Sequence, residues 1–418
     1  MTKIHKIITL FYIKIKFRIN PKIKIYRKKQ KSYINRYNKI LNILKQKSKN
    51  NKIRVCFLVS ESAKWNAQSL YDLMEKSDIF EPFILVTNLS YNVYFQSYKQ
   101  ILEFYKTCAN NVQVGWNDET NESIDLKLFN PDIVFYQQPW GLYDNQSVEY
   151  VSNFALTYYF SYAMGDALHT FNWNFENFYL ILKNYFVFSK YEKKLYTDNL
   201  KFNLNNIVVI GHPKLDTYKN YKEEYHEHKY VIYAPHHSLE IDSLNYATFL
   251  WNGKYILEWA QKHPNFDWVF KPHPRLKQAL ILNNIMSEEE VNKYFNEWQN
   301  VGIFCDEGSY FNLFKNSKCL ITDCGSFLVE YLPTKQPVIH LRNPKATDYI
   351  PASKVAMQSY YDVWNIRNLE KCLNDILING IDTKKQERMD AIRKLNIESY
   401  SCAEKIINTI KNEIGIRK

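Results

Sequence analysis

The sequence predicts an α/β protein built as two doubly wound halves, each a parallel sheet covered by helices on both faces. Three observations carry that expectation. From residue 53 onward, short apolar runs alternate with amphipathic stretches, the pattern of buried parallel strands and their crossover helices. A charged segment at 218–229, with little to bury, divides that series in two. At 418 residues the chain has the length of two domains of ordinary size.

In the first half, Ile53–Val59, 82–87, 132–136, 185–188 and 207–210 read as strands, with helical patterns between them such as 67–76 and 191–199. In the second half, Tyr230–Ala234, 268–271, 302–305, 319–322 and Val338–Leu341 read as strands. Helical spacing falls at 246–262, 288–299, 310–316, 327–332 and 368–378, and 384–414 reads as one further helix. The expected organisation is a basic arm over 1–50, a first Rossmann-like domain over 51–217 and a linker over 218–229. A second such domain follows over 230–383, then a closing helix over 384–418.

Composition narrows the class. With 46% hydrophobic and 23% charged residues the chain is neither disordered nor membrane-embedded. No run of eighteen apolar residues occurs, so no membrane-spanning helix is expected. Seven cysteines, an odd number without a CxxC pair, point to a reducing compartment with neither a disulfide framework nor a zinc site. Net charge is +12, but the first 54 residues hold eighteen Lys and Arg and no acid, leaving −6 for the rest. The basic balance therefore belongs to an arm and does not describe a nucleic-acid surface spread over the fold.

Within that arm Ile13-Lys14-Ile15-Lys16-Phe17-Arg18-Ile19 alternates, fitting an edge strand or an interfacial segment. Tyr33, Ile34, Tyr37, Ile40, Leu41 and Leu44 then recur at helical spacing among cations. The expectation is attachment to an anionic membrane surface, where each Lys or Arg contributes roughly 1 kcal/mol. The alternative is a solvated helix packed on the first domain. Together these observations place the protein in the cytoplasm, peripheral at the inner face of the cell membrane.

Function is expected just beyond the carboxyl ends of the strands, where open parallel sheets bind ligands. Four polar turns stand there: Gly211-His212-Pro213-Lys214-Leu215-Asp216, Pro235-His236-His237-Ser238, Lys271-Pro272-His273-Pro274-Arg275 and Asp323-Cys324-Gly325-Ser326. Counting His340, five of the ten histidines lie in or beside strand-end turns. The chemistry points to an anion. Gly325-Ser326 at a helix start offers N–H groups and the positive dipole end. Lys271, His273 and Arg275 add donors, and Glu330, one turn on, is placed to take hydroxyls of a ribose or similar polyol. No HExxH, GxGxxG, P-loop lysine or GxSxG occurs, which argues against zinc hydrolases, dinucleotide oxidoreductases, NTPases and serine hydrolases.

These turns, in this order, resemble the CDP-glycerol glycerophosphotransferase family, which includes teichoic-acid primases and polymerases. The family's Gly-x-Pro-Arg-x-Asp is similar to Gly211–Asp216, with Lys214 for Arg, and its Tyr-Ala-Pro-Thr-Trp/Phe to Tyr233-Ala234-Pro235-His236-His237. Its His-Pro after a strand is similar to His273-Pro274. Its Thr-Asp-Tyr-Ser-Ser, later acid and Lys-x-Pro-Val-Ile are similar to Thr322–Ser326, Glu330 and Lys335-Gln336-Pro337-Val338-Ile339. The resemblance spans about residues 205–345 and implies a GT-B fold with the nucleotide donor in the second domain. It implies a donor site at Gly165, Pro213, Lys214, His236, His237, Lys271, Pro272, His273, Gly325, Ser326 and Glu330.

One departure stands out. The family's Trp-His-Gly-Thr-Pro is matched by Tyr162-Ala163-Met164-Gly165-Asp166, with Met164 where the family's proposed general base stands. Methionine takes no proton, so the base is sought at Asp166, His169 or His236. The expected catalytic set is His273, His236 and Asp166. The expected reaction is transfer of phosphoglycerol from CDP-glycerol to a polysaccharide or lipid-linked acceptor, without metal or cofactor. The alternatives are a GT-B glycosyltransferase using a nucleotide sugar for capsule or lipooligosaccharide, and an inactive assembly subunit of a polysaccharide machine.

Overall fold

The computed structural model describes residues 21–90, 97–164, 176–199, 205–219, 230–239, 244–305, 310–398 and 400–416. The first sheet comprises β1 (Ile53–Val59), β2 (Phe80–Val86), β3 (Val112–Val114), β6 (Ile133–Tyr136), β7 (Leu156–Phe160), β8 (Asn184–Val187) and β9 (Ile207–Val209). Their order is β3-β2-β1-β6-β7-β8-β9, with every pairing parallel. A two-stranded hairpin of β4 (Trp116–Asn117) and β5 (Glu122–Ser123) lies apart. The strands are apolar runs because helices cover both faces, as in β1, where six of the seven residues are buried.

Strand β7 is missing from the sequence prediction because Thr157, Tyr158 and Tyr159 make its run look polar. In the fold these hydroxyls have partners: Thr157 pairs with Tyr37 at 2.6 Å, and Tyr158 donates to Glu413 at 2.6 Å. Both partners lie far away in sequence, one near each end of the chain.

The second sheet holds β10 (Tyr230–Ala234), β11 (Trp268–Phe270), β12 (Ile303–Phe304), β13 (Ser317–Thr322), β14 (Val338–Leu341) and β15 (Tyr361–Val363). Its order, β12-β11-β10-β13-β14-β15, is all parallel and is the doubly wound arrangement. An aromatic layer fills one face, with Phe270 stacked on Trp298 at 4.8 Å and Tyr233 5.8 Å from each. Gly302 is required by close approach, because a Cβ there would meet the Trp268 carbonyl oxygen at 2.2 Å. Two doubly wound domains meeting across a cleft form a GT-B architecture.

Three expectations are corrected. The helix at Pro21–Lys47 is no free arm: Tyr33, Tyr37, Ile40 and Leu44 are buried in the core of the first domain. Tyr37 also donates to the Ile181 carbonyl at 2.8 Å, and Lys47 pairs with Asp132 at 2.6 Å. At about 1.5–3 kcal/mol per buried large side chain, this stripe is part of what holds the domain together. Residues 1–20, with the alternating segment, lie outside the described residues.

The tail is two helices, Lys385–Leu395 and Cys402–Glu413, because Asn396 and Ser401 adopt left-handed backbone that ends one and begins the other. The second returns to the first domain, where Glu413 also accepts from Lys183 and Asn184. The expected linker begins too early. Tyr218 closes the turn Pro213–Tyr218, is fully buried and donates to the Glu330 carbonyl, while 220–229 lie outside the described residues.

Candidate active site

In the second sheet β10 and β13 are neighbours, and the chain runs on to β11 on one side and β14 on the other. That reversal opens a crevice at their carboxyl ends. His236 and His237 follow β10, Lys271 and His273 follow β11, and Asp323 to Ser326 follow β13. Asp323, 1% exposed, ties these turns together. It accepts from the His236 N–H at 2.6 Å, the Thr248 N–H at 2.6 Å and the Thr248 hydroxyl at 2.7 Å. Burial nevertheless pushes its carboxyl up to about 6. Sequence reasoning quoted Asp323 within a motif but gave it no role; its signal was an acid at a strand end flanked by residues too small to cover it.

The three histidines converge. Ring centroids of His237 and His273 lie 3.9 Å apart, His236 and His237 4.4 Å, and His236 and His273 5.1 Å. One nitrogen from each falls within 4.8 Å of the others, a grouping of a kind that can hold a metal ion. Nδ1 of His236 lies 3.2 Å from the Ser238 N–H and 2.8 Å from the Ser238 hydroxyl, and Nδ1 of His273 accepts the Arg275 N–H at 3.1 Å. With Nδ1 as acceptor, a neutral ring carries its proton on Nε2. Nε2–H donors in that form suit the oxygens of an anion.

The same contact recurs at the first domain's end, where Nδ1 of His212 accepts the Lys214 N–H at 3.1 Å and Nε2 meets the Ser161 carbonyl at 2.6 Å. All three rings accept the N–H two residues on, a local device set by turn geometry.

Burial first, then neighbouring cations, holds His236 and His273 well below the usual imidazole range. They act as neutral donors, and the positive charge of the site comes from Lys271 and Arg275. Lys271 is 6% exposed, with its ammonium 5.2 Å from the Tyr310 ring centre.

Other predicted residues sit elsewhere. Glu330 is fully buried, with one oxygen 2.8 Å from the Lys214 ammonium and the other accepting from Tyr310. It holds the two domains together and offers no oxygen to a ribose, and Lys214 is spent on it. Pro213 is buried beside them, its carbonyl 3.3 Å from the Ser69 hydroxyl. The helix after Ser326 runs only over Phe327–Glu330, so little macrodipole builds up and the anion would meet individual N–H groups. Gly325 is tight for another reason, since a Cβ would lie 2.9 Å from the Tyr246 ring. Pro272 is buried in the turn between Lys271 and His273. Met164 is 1% exposed in the core of the first domain, while Gly165, Asp166 and His169 lie outside the described residues.

The comparisons agree with this architecture. A putative UDP-N-acetylglucosamine 2-epimerase from Listeria monocytogenes superposes with a TM-score of 0.56 at 15% identity, covering 88% of this chain and 98% of that one. The UDP-GlcNAc 2-epimerase of Neisseria meningitidis, bound to UDP-GlcNAc, gives 0.56 at 13%, covering 86% and 100%. The wall teichoic acid polymerase TagF, soaked with CDPG, gives 0.52 at 13%, covering 95% and 98%. No curated protein sequence matches the chain. Residues 170–356 match the model of the family described as CDP-Glycerol:Poly(glycerophosphate) glycerophosphotransferase. On a GT-B fold, the stretch that carries the histidine turns is thus similar to the CDP-glycerol glycerophosphotransferases.

Proposed function

We propose that this protein transfers phosphoglycerol from CDP-glycerol to a hydroxyl of a cell-surface polysaccharide, releasing CMP. The observation that carries the reading is the pair of converging rings of His236 and His273, each with Nδ1 turned to its own backbone and Nε2 left to donate. They sit beside Lys271 at the switch point of the second sheet, inside the stretch that matches the family. The acceptor oxygen attacks the phosphorus bonded to glycerol, and the bridging P–O bond breaks with its electron pair leaving on CMP. Fixed donors stabilise the charge that gathers on the bridging and non-bridging oxygens. Because they supply that stabilisation, turnover is expected to survive chelation by EDTA.

Nucleotide release across CDP-glycerol, CDP-ribitol, UDP-sugars and CMP-sugars is the test. CMP from CDP-glycerol supports the reading; UDP from a UDP-sugar or CMP from a CMP-sugar, with CDP-glycerol untouched, overturns it in favour of a glycosyltransferase, the reading that Met164 favours. Unchanged polymer output in cells carrying His273→Ala would point to an inactive assembly subunit.

The reading places the protein at the inner face of the membrane. No described helix is long and apolar enough to cross a bilayer. Lys28, Lys29, Lys31, Lys39 and Lys45 are exposed on the outer side of the amino-terminal helix, which contains no acidic residue. Removing residues 1–27 and replacing Lys28, Lys29, Lys31, Lys39 and Lys45 with glutamine leaves the buried stripe intact and should weaken pelleting with anionic vesicles at low salt. Unchanged pelleting would refute the membrane role.

A further inference from the structure

The transfer proposed above needs a group to take the acceptor proton, and the first domain holds a candidate that no motif announced. Its own switch point lies between β1 and β6. The turns leaving these strands, residues 60–67 and 137–143, contain one carboxylate, Glu61. Its backbone is held rigidly: Gln137 accepts the Ser60 and Glu61 N–H groups at 2.9 and 3.1 Å. The Glu61 carbonyl in turn accepts from Gln137 and Tyr105, each at 2.8 Å.

The Glu61 side chain is 25% exposed, and one of its oxygens accepts from the Lys64 ammonium. Lys64 also donates to Gln138 at 2.7 Å and lies 4.9 and 5.3 Å from the ring centres of Trp140 and Tyr162. The carboxylate's other oxygen accepts no hydrogen bond from the described residues. These turns leave the carboxyl ends of the first sheet at its switch point, the end from which open parallel sheets engage ligands.

We infer that Glu61 is the general base, taking the acceptor's proton, with Lys64 as its positioning residue and Trp140 and Tyr162 as an apolar wall for the C–H face of a polyol or sugar. This rests on the transferase reading. The O–H proton passes to the free carboxylate oxygen as the acceptor oxygen bonds to phosphorus. The bridging P–O bond then breaks toward CMP. Lys64 holds the carboxylate in place; Met164, buried in the core, has no part in it.

The test compares Glu61→Gln, Glu61→Asp, Lys64→Met and Lys64→Arg with the full chain, using CDP-glycerol binding by calorimetry and CMP release across pH. The groups against Glu61 are Lys64 on its own turn, Tyr105 from the helix Tyr98–Cys108 and Gln137 from the turn after β6. Glu61→Gln should bind donor with unchanged affinity, lose roughly 10²–10⁴-fold in kcat and lose the acidic limb of the rate profile. Glu61→Asp should retain part of the rate. Lys64→Met should lower kcat with donor affinity unchanged, and Lys64→Arg should restore part of the rate, since only the carboxylate's placement is lost. Turnover by Glu61→Gln within about threefold of wild type, with the limb intact, would overturn the assignment of the base and leave the donor reading standing. Failure of the wild-type chain to bind CDP-glycerol would overturn the donor reading and this assignment with it.

Discussion

Replacing Lys214 with methionine tests how the two domains are joined. Lys214 comes from the turn after β9, and its ammonium lies 2.8 Å from Glu330 in the helix after β13. The two side chains are 10% and 0% exposed, so neither charge recovers its hydration if the other is removed. In Lys214→Met the Glu330 carboxylate keeps only the Tyr310 hydroxyl as a charge-stabilising partner. Breaking one side of a buried pair costs about 3–5 kcal/mol, most of it the penalty of the stranded charge. Removing both charges costs far less, so Lys214→Met with Glu330→Gln should recover most of that loss. Urea unfolding followed by tryptophan fluorescence and circular dichroism reads the loss. A coupling of about 2–3 kcal/mol in the double-mutant cycle is expected. A loss below about 1 kcal/mol for Lys214→Met would place the pair with solvent-screened surface bridges and refute the argument.

Asp323→Asn should weaken nucleotide-donor binding about tenfold by calorimetry, because an amide cannot accept three hydrogen bonds as a carboxylate does, and the His236 turn loosens. Burial holds His212 down at about 3, so the unfolded chain binds the extra proton below pH 6.5. Stability from this ring is therefore complete above pH 6.5 and is lost as pH falls toward 3, a term on the order of 5 kcal/mol at most. His212→Asn should flatten that acid limb in urea midpoints measured against pH, and an unaltered slope would contradict it. Gly302→Ala must push apart backbone at β11, and a loss of about 1–3 kcal/mol is expected in thermal unfolding.

Much of this fold was legible in the periodicity. Strands β1, β10 and β14 match the apolar runs residue for residue, because a strand buried on both faces is apolar nearly throughout, with Arg54 and His340 as isolated polar positions. The same logic fails for β7, whose hydroxyls are satisfied by Tyr37 and Glu413, residues no local window contains. Strand β15, Tyr361–Val363, is too short and too polar to announce itself. At the site, the histidine turns were visible as residue types after strands, and His236, His237 and His273 do meet. Glu330 was misread because its position one turn into a helix says nothing about which side of the domain seam its carboxylate enters.

By itself, the sequence determined the two doubly wound halves and the strand-end turns where chemistry is concentrated. Both follow from patterns of two to seven neighbouring residues, which backbone geometry converts directly into strand, turn and side-chain direction. Tertiary structure alone decided that Lys214 and Glu330 neutralise one another and that the stripe on the basic helix is core. It also brought Gln138, Trp140 and Tyr162 around Lys64 beside Glu61. Each of these depends on groups distant in the chain whose solvation and charge are set only when the domains close around them.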